Sequence, residues 1–151
     1  MNDRDVVERQ LGRPPRAFSR VAVRCPFGRP AVAEQAPFDA RGAPFPTTFW
    51  LTCPHLVAAV SRVEAAGGVE RWSERVRRDA ELRWSLDAAT AEQRRLRPEL
   101  STGIGGSSRS GSLKCLHAHA AFALARPGYE LGDCILAEVP SLWPSERCCT
   151  S

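Results

Sequence analysis

The densest group of potentially reactive side chains in this 151-residue chain lies in the segment KCLHAH, residues 114–119. It contains the thiol of Cys115 and two of the three histidines, His117 and His119. Cysteine thiolates and imidazole nitrogens are the usual protein ligands of zinc and related metals. In an α-helix, Cys115 and His119 lie on one face and His117 points to nearly the opposite side, whereas in an extended segment all three share a face. The alanines that follow favour a helix, so we pair Cys115 with His119 and consider His117 separately.

Three further potential ligands, Cys25, Cys53 and His55, lie at or beside the ends of predicted strands. We therefore expect a binding or regulatory protein with a metal centre, in which zinc is the expected cofactor. The expected ligands are Cys25, Cys53, Cys115, His117 and His119. Packing of the thiols in the core is the competing and more common outcome, because unpaired cysteines are among the most buried residues. None of the six cysteines forms a CxxC pair, which excludes the standard zinc-knuckle and thioredoxin motifs.

Cys115 also has the surroundings of a nucleophile. It lies near the predicted start of a helix and next to Lys114, the only lysine of the chain, and both features lower the pKa of a thiol. A thiolate with a nearby histidine base is the minimal pair for nucleophilic catalysis. No sequence signature of a known cysteine hydrolase surrounds Cys115, so the question whether the protein is an enzyme stays open.

A glycine-rich stretch, GIGGSSRSGSLK at residues 103–114, leads directly into the same predicted helix. Free N–H groups at a helix N-terminus attract phosphate, but neither a P-loop nor a GxGxxG spacing is present. Arginines on one face of a predicted strand, together with Phe18, are a second candidate for binding a polyanion such as nucleic acid or polyphosphate. The expected anion-binding residues are Arg20, Arg24, Arg109 and Lys114. The alternative function is thus a metal-free enzyme or binder of phosphorylated or polyanionic ligands, and the competing interpretation is a flexible connector beside a solvated strand.

The positive charge is unevenly distributed along the chain. The 21 basic residues, of which 20 are arginine, exceed the 17 acidic residues by four. Residues 1–30 contain seven arginines and three acidic residues, so they carry the whole excess and the remainder is neutral. A hydrophobic content of 43% and a charged content of 25% are ordinary for a globular domain and exclude a wholly disordered chain.

Periodicity and turn residues predict a single α+β domain over residues 1–128, with a small N-terminal β-sheet packed with three or four helices. Residues 129–151 are predicted to form a partly disordered tail with a short strand around residues 134–139. A flexible glycine- and serine-rich loop is predicted over residues 98–112. Predicted helices cover residues 3–11, 54–66, 69–97 with a break near 78–79, and 113–126, and predicted strands cover residues 17–25, 31–36 and 46–53.

The N-terminal residues are charged and contain no apolar segment, unlike a signal peptide. No window approaches the ~20 apolar residues of a membrane-spanning helix. We therefore expect a cytoplasmic protein with reduced thiols and no contact with a membrane.

Several segments together resemble a bacterial family described as domain of unknown function 501 (DUF501). The matching segments are QLGRPPR at 10–16, VAVRCPFGRP at 21–30, APFPTTFWLTCPHL at 43–56, SRVEAAGGVE at 61–70 and GIGG…LKCLHAHAAFALA at 103–125. The resemblance extends over residues 8–126 and implies no established activity. Genes of the family often neighbour those for a septum-formation protein and an exopolyphosphatase, which implies a partner in cell division or phosphate metabolism by association. The family's KCLHAH motif is followed three residues on by another histidine, where this chain has Phe122, so a site that uses that histidine would lack one ligand or base here.

Overall fold

A computed structural model describes residues 1–107, 111 and 113–150. In this part of the chain a three-stranded antiparallel sheet near the N-terminus packs with six α-helices, which confirms the predicted α+β fold. The strands are β1 (Phe18–Arg24), β2 (Pro30–Gln35) and β3 (Phe49–Leu51). The helices are α1 (Asp3–Leu11), α2 (Pro54–Ala65), α3 (Gly68–Arg78), α4 (Ala80–Leu96), α5 (Leu116–Ala125) and α6 (Glu130–Leu136), with a 3-10 turn at Ile104–Gly106 before α5.

The central strand of the sheet, β2, pairs antiparallel with β1 on one side and β3 on the other. Its residues Ala31, Val32 and Ala33 are completely buried, so the strand is covered on both faces. Irregular register between β1 and β2 breaks the strict alternation that the sequence predicts for β1. The neighbours Ala22 and Val23 both pack against the core as a result, because a bulge changes which face a side chain takes.

Helix α5 is the central helix of the core. It packs against β3 and α6, and seven of its ten residues are buried, including Ala120 and Ala121. Small side chains allow the helix α6 to approach closely, since a Cβ at Gly132 would lie 2.8 Å from the carbonyl oxygen of His119. Phe122 forms edge-on ring contacts with Phe49 and Tyr129, which connect α5 to the sheet and to the segment before α6.

The predicted break in the long helical region occurs where the sequence places it. Asp79 ends α3 and caps α4, and its carboxylate accepts hydrogen bonds from the N–H groups of Glu81 and Leu82. An aspartate at this position satisfies donors that have no partner inside the helix. The single residue Asp79, in extended backbone, therefore separates the two helices.

Two predicted elements differ from the structure. Helix α5 begins at Leu116, three residues later than predicted, and Cys115 precedes it in extended backbone with φ −156° and ψ 160°. The strand predicted around residues 134–139 is wrong, because residues 130–136 form helix α6. The buried residues of α6 recur at i, i+1, i+4 and i+5, which is the spacing of one helix face rather than the alternation of a strand: Leu131, Gly132, Ile135 and Leu136.

No helix in the described ranges is both long enough and apolar enough to cross a membrane.

Candidate metal centre

Three potential metal ligands meet where the last turn of α2 approaches the first turn of α5. Glu64 comes from α2, Cys115 lies immediately before α5, and His117 is the second residue of α5. One potential ligand atom from each residue lies within 4.8 Å of the other two. All three side chains are half-buried, so the group is partly shielded from water and still accessible.

The carboxylate of Glu64 lies at the N-terminus of α5. Its Oε2 atom accepts a hydrogen bond of 2.7 Å from the backbone N–H of Leu116 and lies 3.2 Å from Nδ1 of His117. The first N–H groups of a helix have no partner inside the helix and favour a negative charge. The anion that occupies this helix N-terminus is thus a side chain of the protein itself.

The imidazole of His117 is held by contacts on its other nitrogen. Its Nε2 atom lies 3.3 Å from the carbonyl oxygen of Val57 and 3.1 Å from Oγ of Ser61. The carbonyl oxygen of Val57 and the carboxylate of Glu64 can only accept, so the contacts on both nitrogens are satisfied together when the ring carries a proton on each. A metal ion would take the place of the proton on Nδ1, the nitrogen beside Glu64. Such a backbone contact on the far nitrogen is typical of histidines that bind metals.

The hydrogen bond between Cys115 and His117 lowers the pKa of the thiol and raises the pKa of the imidazole. Burial opposes ionisation of the thiol, but hydrogen bonds with His117 and with the N–H of Ala118 outweigh it and lower the pKa of Cys115. The hydrogen bond with Cys115 raises the pKa of His117 against the effect of burial, and the charge of Glu64 adds to the increase. These contacts therefore make it easier for Cys115 to form the thiolate, which both binds metals and attacks electrophiles.

An apolar pocket of about 520 Å³ opens beside this group. Cys115 and His117 lie on its wall, and Val57, which contacts His117, lies there too. The remaining lining is mainly apolar and comes from the end of α1, from β3, from the start of α2, from the 3-10 turn and from α5: Gln10, Leu11, Thr47, Phe49, Trp50, Leu51, Thr52, Pro54, Ala58, Gly105 and Ala118. A cavity of this size with a few polar groups on one wall is typical of small-molecule sites.

His119 takes no part in this group. Its ring is completely buried, and Nδ1 forms a 2.7 Å hydrogen bond with the hydroxyl of Tyr129. Nε2 has no hydrogen-bond partner among the described residues. The predicted pairing of Cys115 with His119 is corrected, because Cys115 lies outside α5 and helical spacing does not apply to it. The helical spacing led us to consider His117 apart from Cys115, but in the structure His117 is the histidine that lies beside Cys115.

Cys53 lies beside a thiol of the C-terminal tail, and Cys25 influences another. The sulfur of Cys53 is 3.9 Å from that of Cys149, and Cys25 is among the groups that lower the pKa of Cys148. Cys25 and Cys53 were expected as ligands beside Cys115, but the structure places Glu64 there instead. Sequence reasoning missed Glu64. The one available signal was its position in SRVEAAGGVE, a segment of the family resemblance without any metal-ligand spacing.

Two of the four expected anion-binding residues form ion pairs within the protein. Arg20 contacts Glu34 at 3.0 Å, and Arg24 contacts Asp3 at 2.6 Å. Lys114 is exposed, and Arg109 lies outside the described residues, as does part of the loop predicted over 98–112. Binding of a polyanion by this set stays a prediction.

Comparison with known proteins identifies a family and no activity. A family model described as "Protein of unknown function (DUF501)" matches residues 21–102, more than half of the chain. The matched range includes Glu64 and ends before Cys115 and His117. No curated protein and no solved structure matches the chain.

Proposed function

The chain belongs to the DUF501 family, and we propose that it is a metal-dependent protein that holds an ion on Glu64, Cys115 and His117, with zinc as the expected ion. The observation that carries the proposal is the approach of these three ligand atoms to within 4.8 Å of one another. Sulfur, nitrogen and carboxylate oxygen are the donors that zinc takes in proteins. The half-burial of the group limits competition from water without closing the site.

The number of ligands indicates what the ion would do. Structural zinc sites have four protein ligands, whereas catalytic sites have three and keep one position for water or substrate. Three ligands gather here, and two of them, Cys115 and His117, lie on the wall of the apolar pocket. We infer a function in binding or converting a small molecule with an apolar portion that fits this pocket.

The test is the zinc content of the purified full-length protein after equilibration with zinc and removal of loosely bound ions. We expect stoichiometric zinc in the native sequence and strongly reduced zinc in Cys115→Ser and Glu64→Gln. Cys134→Ser is the matched control, since Cys134 is a half-buried thiol on α6 outside the ligand group. Absence of bound zinc from the native protein, or equal zinc in Cys115→Ser, would overturn the proposal.

A metal-free cysteine nucleophile is the second candidate, and the opposite pKa shifts of Cys115 and His117 favour it. Alkylation of Cys115 by iodoacetamide, followed by peptide mass spectrometry, separates the two candidates. Zinc bound to the thiolate slows alkylation of Cys115, and a chelator restores the fast reaction. If zinc leaves the rate unchanged while Cys115 remains the fastest-reacting thiol, the nucleophile is the better assignment.

A further inference from the structure

Four cysteines that the metal centre does not use gather at one edge of the sheet. Strands β1 and β3 both run antiparallel to β2, so their C-terminal ends lie at the same edge, where β2 begins. Cys25 directly follows β1, and Cys53 lies just beyond β3 and immediately before α2. The N–H of Cys53 donates to the carbonyl oxygen of Ala31 at the start of β2, which fixes the cysteine at this edge.

The C-terminal tail brings the other two thiols to this edge. His55 at the start of α2 contacts the carbonyl oxygen of Ser141 through Nε2 at 2.8 Å, which holds the tail against the helix. Cys148 is 4% exposed, whereas its neighbour Cys149 is exposed. The sulfur atoms of Cys149 and Cys53 are 3.9 Å apart, so formation of a bond between them needs only a small movement.

The sulfurs do not converge on one point. Those of Cys53 and Cys149 lie 3.9 Å apart, and hydrogen bonds with Thr150, Cys25 and Cys149 lower the pKa of Cys148 against the effect of burial. Within the described residues the only set of three ligand atoms at metal-binding separation is the one around Cys115. A closed zinc site requires four ligands around one point, and these four thiols lack that convergence. Bond formation between two neighbouring sulfurs is the chemistry that this geometry supports.

We propose that Cys53 and Cys149 form a redox modification site, in which a hydroperoxide oxidises the two thiols to a disulfide. The exposed Cys149 thiolate attacks the terminal peroxide oxygen, the S–O bond forms as the O–O bond breaks, and the alkoxide takes up the proton that the thiol released, which gives a sulfenic acid and an alcohol, or water in the case of hydrogen peroxide. The sulfur of Cys53 then attacks the Cys149 sulfur, the S–O bond breaks, and the proton of Cys53 leaves with the hydroxyl as water. Two thiols lose two electrons in total and the peroxide gains them.

The order of the two steps follows from accessibility. Cys149 meets the oxidant because it is exposed, whereas Cys53 is buried. Burial, together with the neighbouring Cys149 thiol, raises the pKa of Cys53 to about 11, so it is a poor first nucleophile near neutral pH. Cys53 is therefore the resolving thiol.

The bond would join positions separated by 96 residues and fix the tail to the start of α2. Thr52 and Pro54, the two neighbours of Cys53, both line the apolar pocket. Oxidation would thus place a covalent constraint beside the pocket of the proposed metal centre. The disulfide itself does not depend on that centre, so its test stands apart from the zinc measurement.

Peptide mapping can identify the pair directly. The reduced full-length protein is treated with hydrogen peroxide, its remaining thiols are blocked with N-ethylmaleimide, and it is digested with trypsin. Cleavage releases residues 148–151, residues 42–62 with Cys53 as their only cysteine, and residues 25–41 with Cys25 as their only cysteine. We expect a linked peptide made of 42–62 and 148–151 that disappears on reduction.

Variants show which tail thiol reacts. Cys149→Ser abolishes the linked peptide, whereas Cys148→Ser and Cys134→Ser retain it. Cys149 is exposed in the tail, so its variant tests the proposal even if a substitution at buried Cys53 prevents folding. A link between 25–41 and 148–151, a bond between Cys148 and Cys149, overoxidation without a disulfide, or zinc protection of all four thiols would each overturn the assignment. Persistence of the link in Cys115→Ser is expected and shows that the site is independent of the metal centre.

Discussion

At the scale of single residues, two histidines only two positions apart have opposite electrostatic surroundings. His117 lies half-buried beside a carboxylate and a thiol, which raise its pKa, whereas burial lowers the pKa of His119 to about 4. Sequence alone pairs His119, rather than His117, with Cys115. Their difference comes from side chains on other elements, and it assigns His117 to the site and His119 to the core.

The buried His119 predicts a loss of stability in mild acid. Its pKa is 6.5 when unperturbed and about 4 in the fold, so the unfolded chain binds more protons between these values. Its contribution is therefore fully present above about pH 6.5 and decreases as the pH falls towards 4, by up to about 3 kcal/mol. Urea unfolding at several pH values measures this change.

His119→Leu provides the comparison that isolates this contribution. The raised pKa of His117 acts in the opposite sense, since it stabilises the fold at low pH and is lost as the pH rises. Both proteins share that contribution, so the difference between their pH profiles reports His119. Identical slopes below pH 6.5 in the two proteins would contradict a neutral, buried His119.

The negative charge of Glu64 contributes to the raised pKa of His117, so removing that charge should change this pKa. In Glu64→Gln the amide oxygen can still accept from Leu116, but the negative charge beside Nδ1 is lost. The pKa of His117 should therefore decrease, because the imidazolium loses its carboxylate partner. NMR titration of the histidine ring signals in metal-free protein measures the shift. Glu70→Gln, a carboxylate change in the first turn of α3, serves as the control and should leave the signal unchanged.

At the scale of elements, the sequence predicted most helices and strands but not how their ends meet. Hydrophobic spacing located α1, α2 and the break at Asp79, because these depend on residues close together in the chain. The contact between Glu64 and the N-terminus of α5 joins residues 52 positions apart, and no local pattern encodes it. The thiol Cys115 was placed inside a helix for the same reason, since the segment before Leu116 lacks a capping side chain that would mark the boundary.

The close approach of α5 and α6 predicts the effect of a single methyl group. In Gly132→Ala the new Cβ would lie 2.5 Å from Cβ of Ala123 and 2.8 Å from the carbonyl oxygen of His119. The helices must separate, so we expect a loss of about 1–3 kcal/mol in the free energy of unfolding. Chemical denaturation measures it, and Cys134→Ala on the half-buried side of α6 should change stability by less than about 0.5 kcal/mol. Equal stability of Gly132→Ala and the native protein would contradict the tight contact.

At the scale of the whole molecule, two arginines of the charged N-terminal region connect neighbouring elements. Arg24 pairs with Asp3 and connects β1 with α1, and Arg20 pairs with Glu34 across β1 and β2. These pairs are at the surface, where each contributes about 0–1 kcal/mol. The excess of arginine in residues 1–30 therefore does not by itself identify a nucleic-acid surface.

The proposed metal would connect two halves of the chain, and this predicts a coupling between zinc and global stability. Glu64 lies in the segment covered by the family model, whereas Cys115 and His117 follow it in sequence. An ion bound to all three stabilises only the folded state, by about 2.7 kcal/mol at a free zinc concentration one hundred times the Kd. Chelation should lower the Tm of the native protein, and added zinc should restore it.

Cys115→Ser should show no response, because the remaining two ligands bind zinc too weakly. Cys149→Ser should retain the full response, since its thiol lies in the tail rather than at the metal centre. If chelation changes the Tm of Cys115→Ser as much as that of the native protein, the stabilising ion is bound elsewhere.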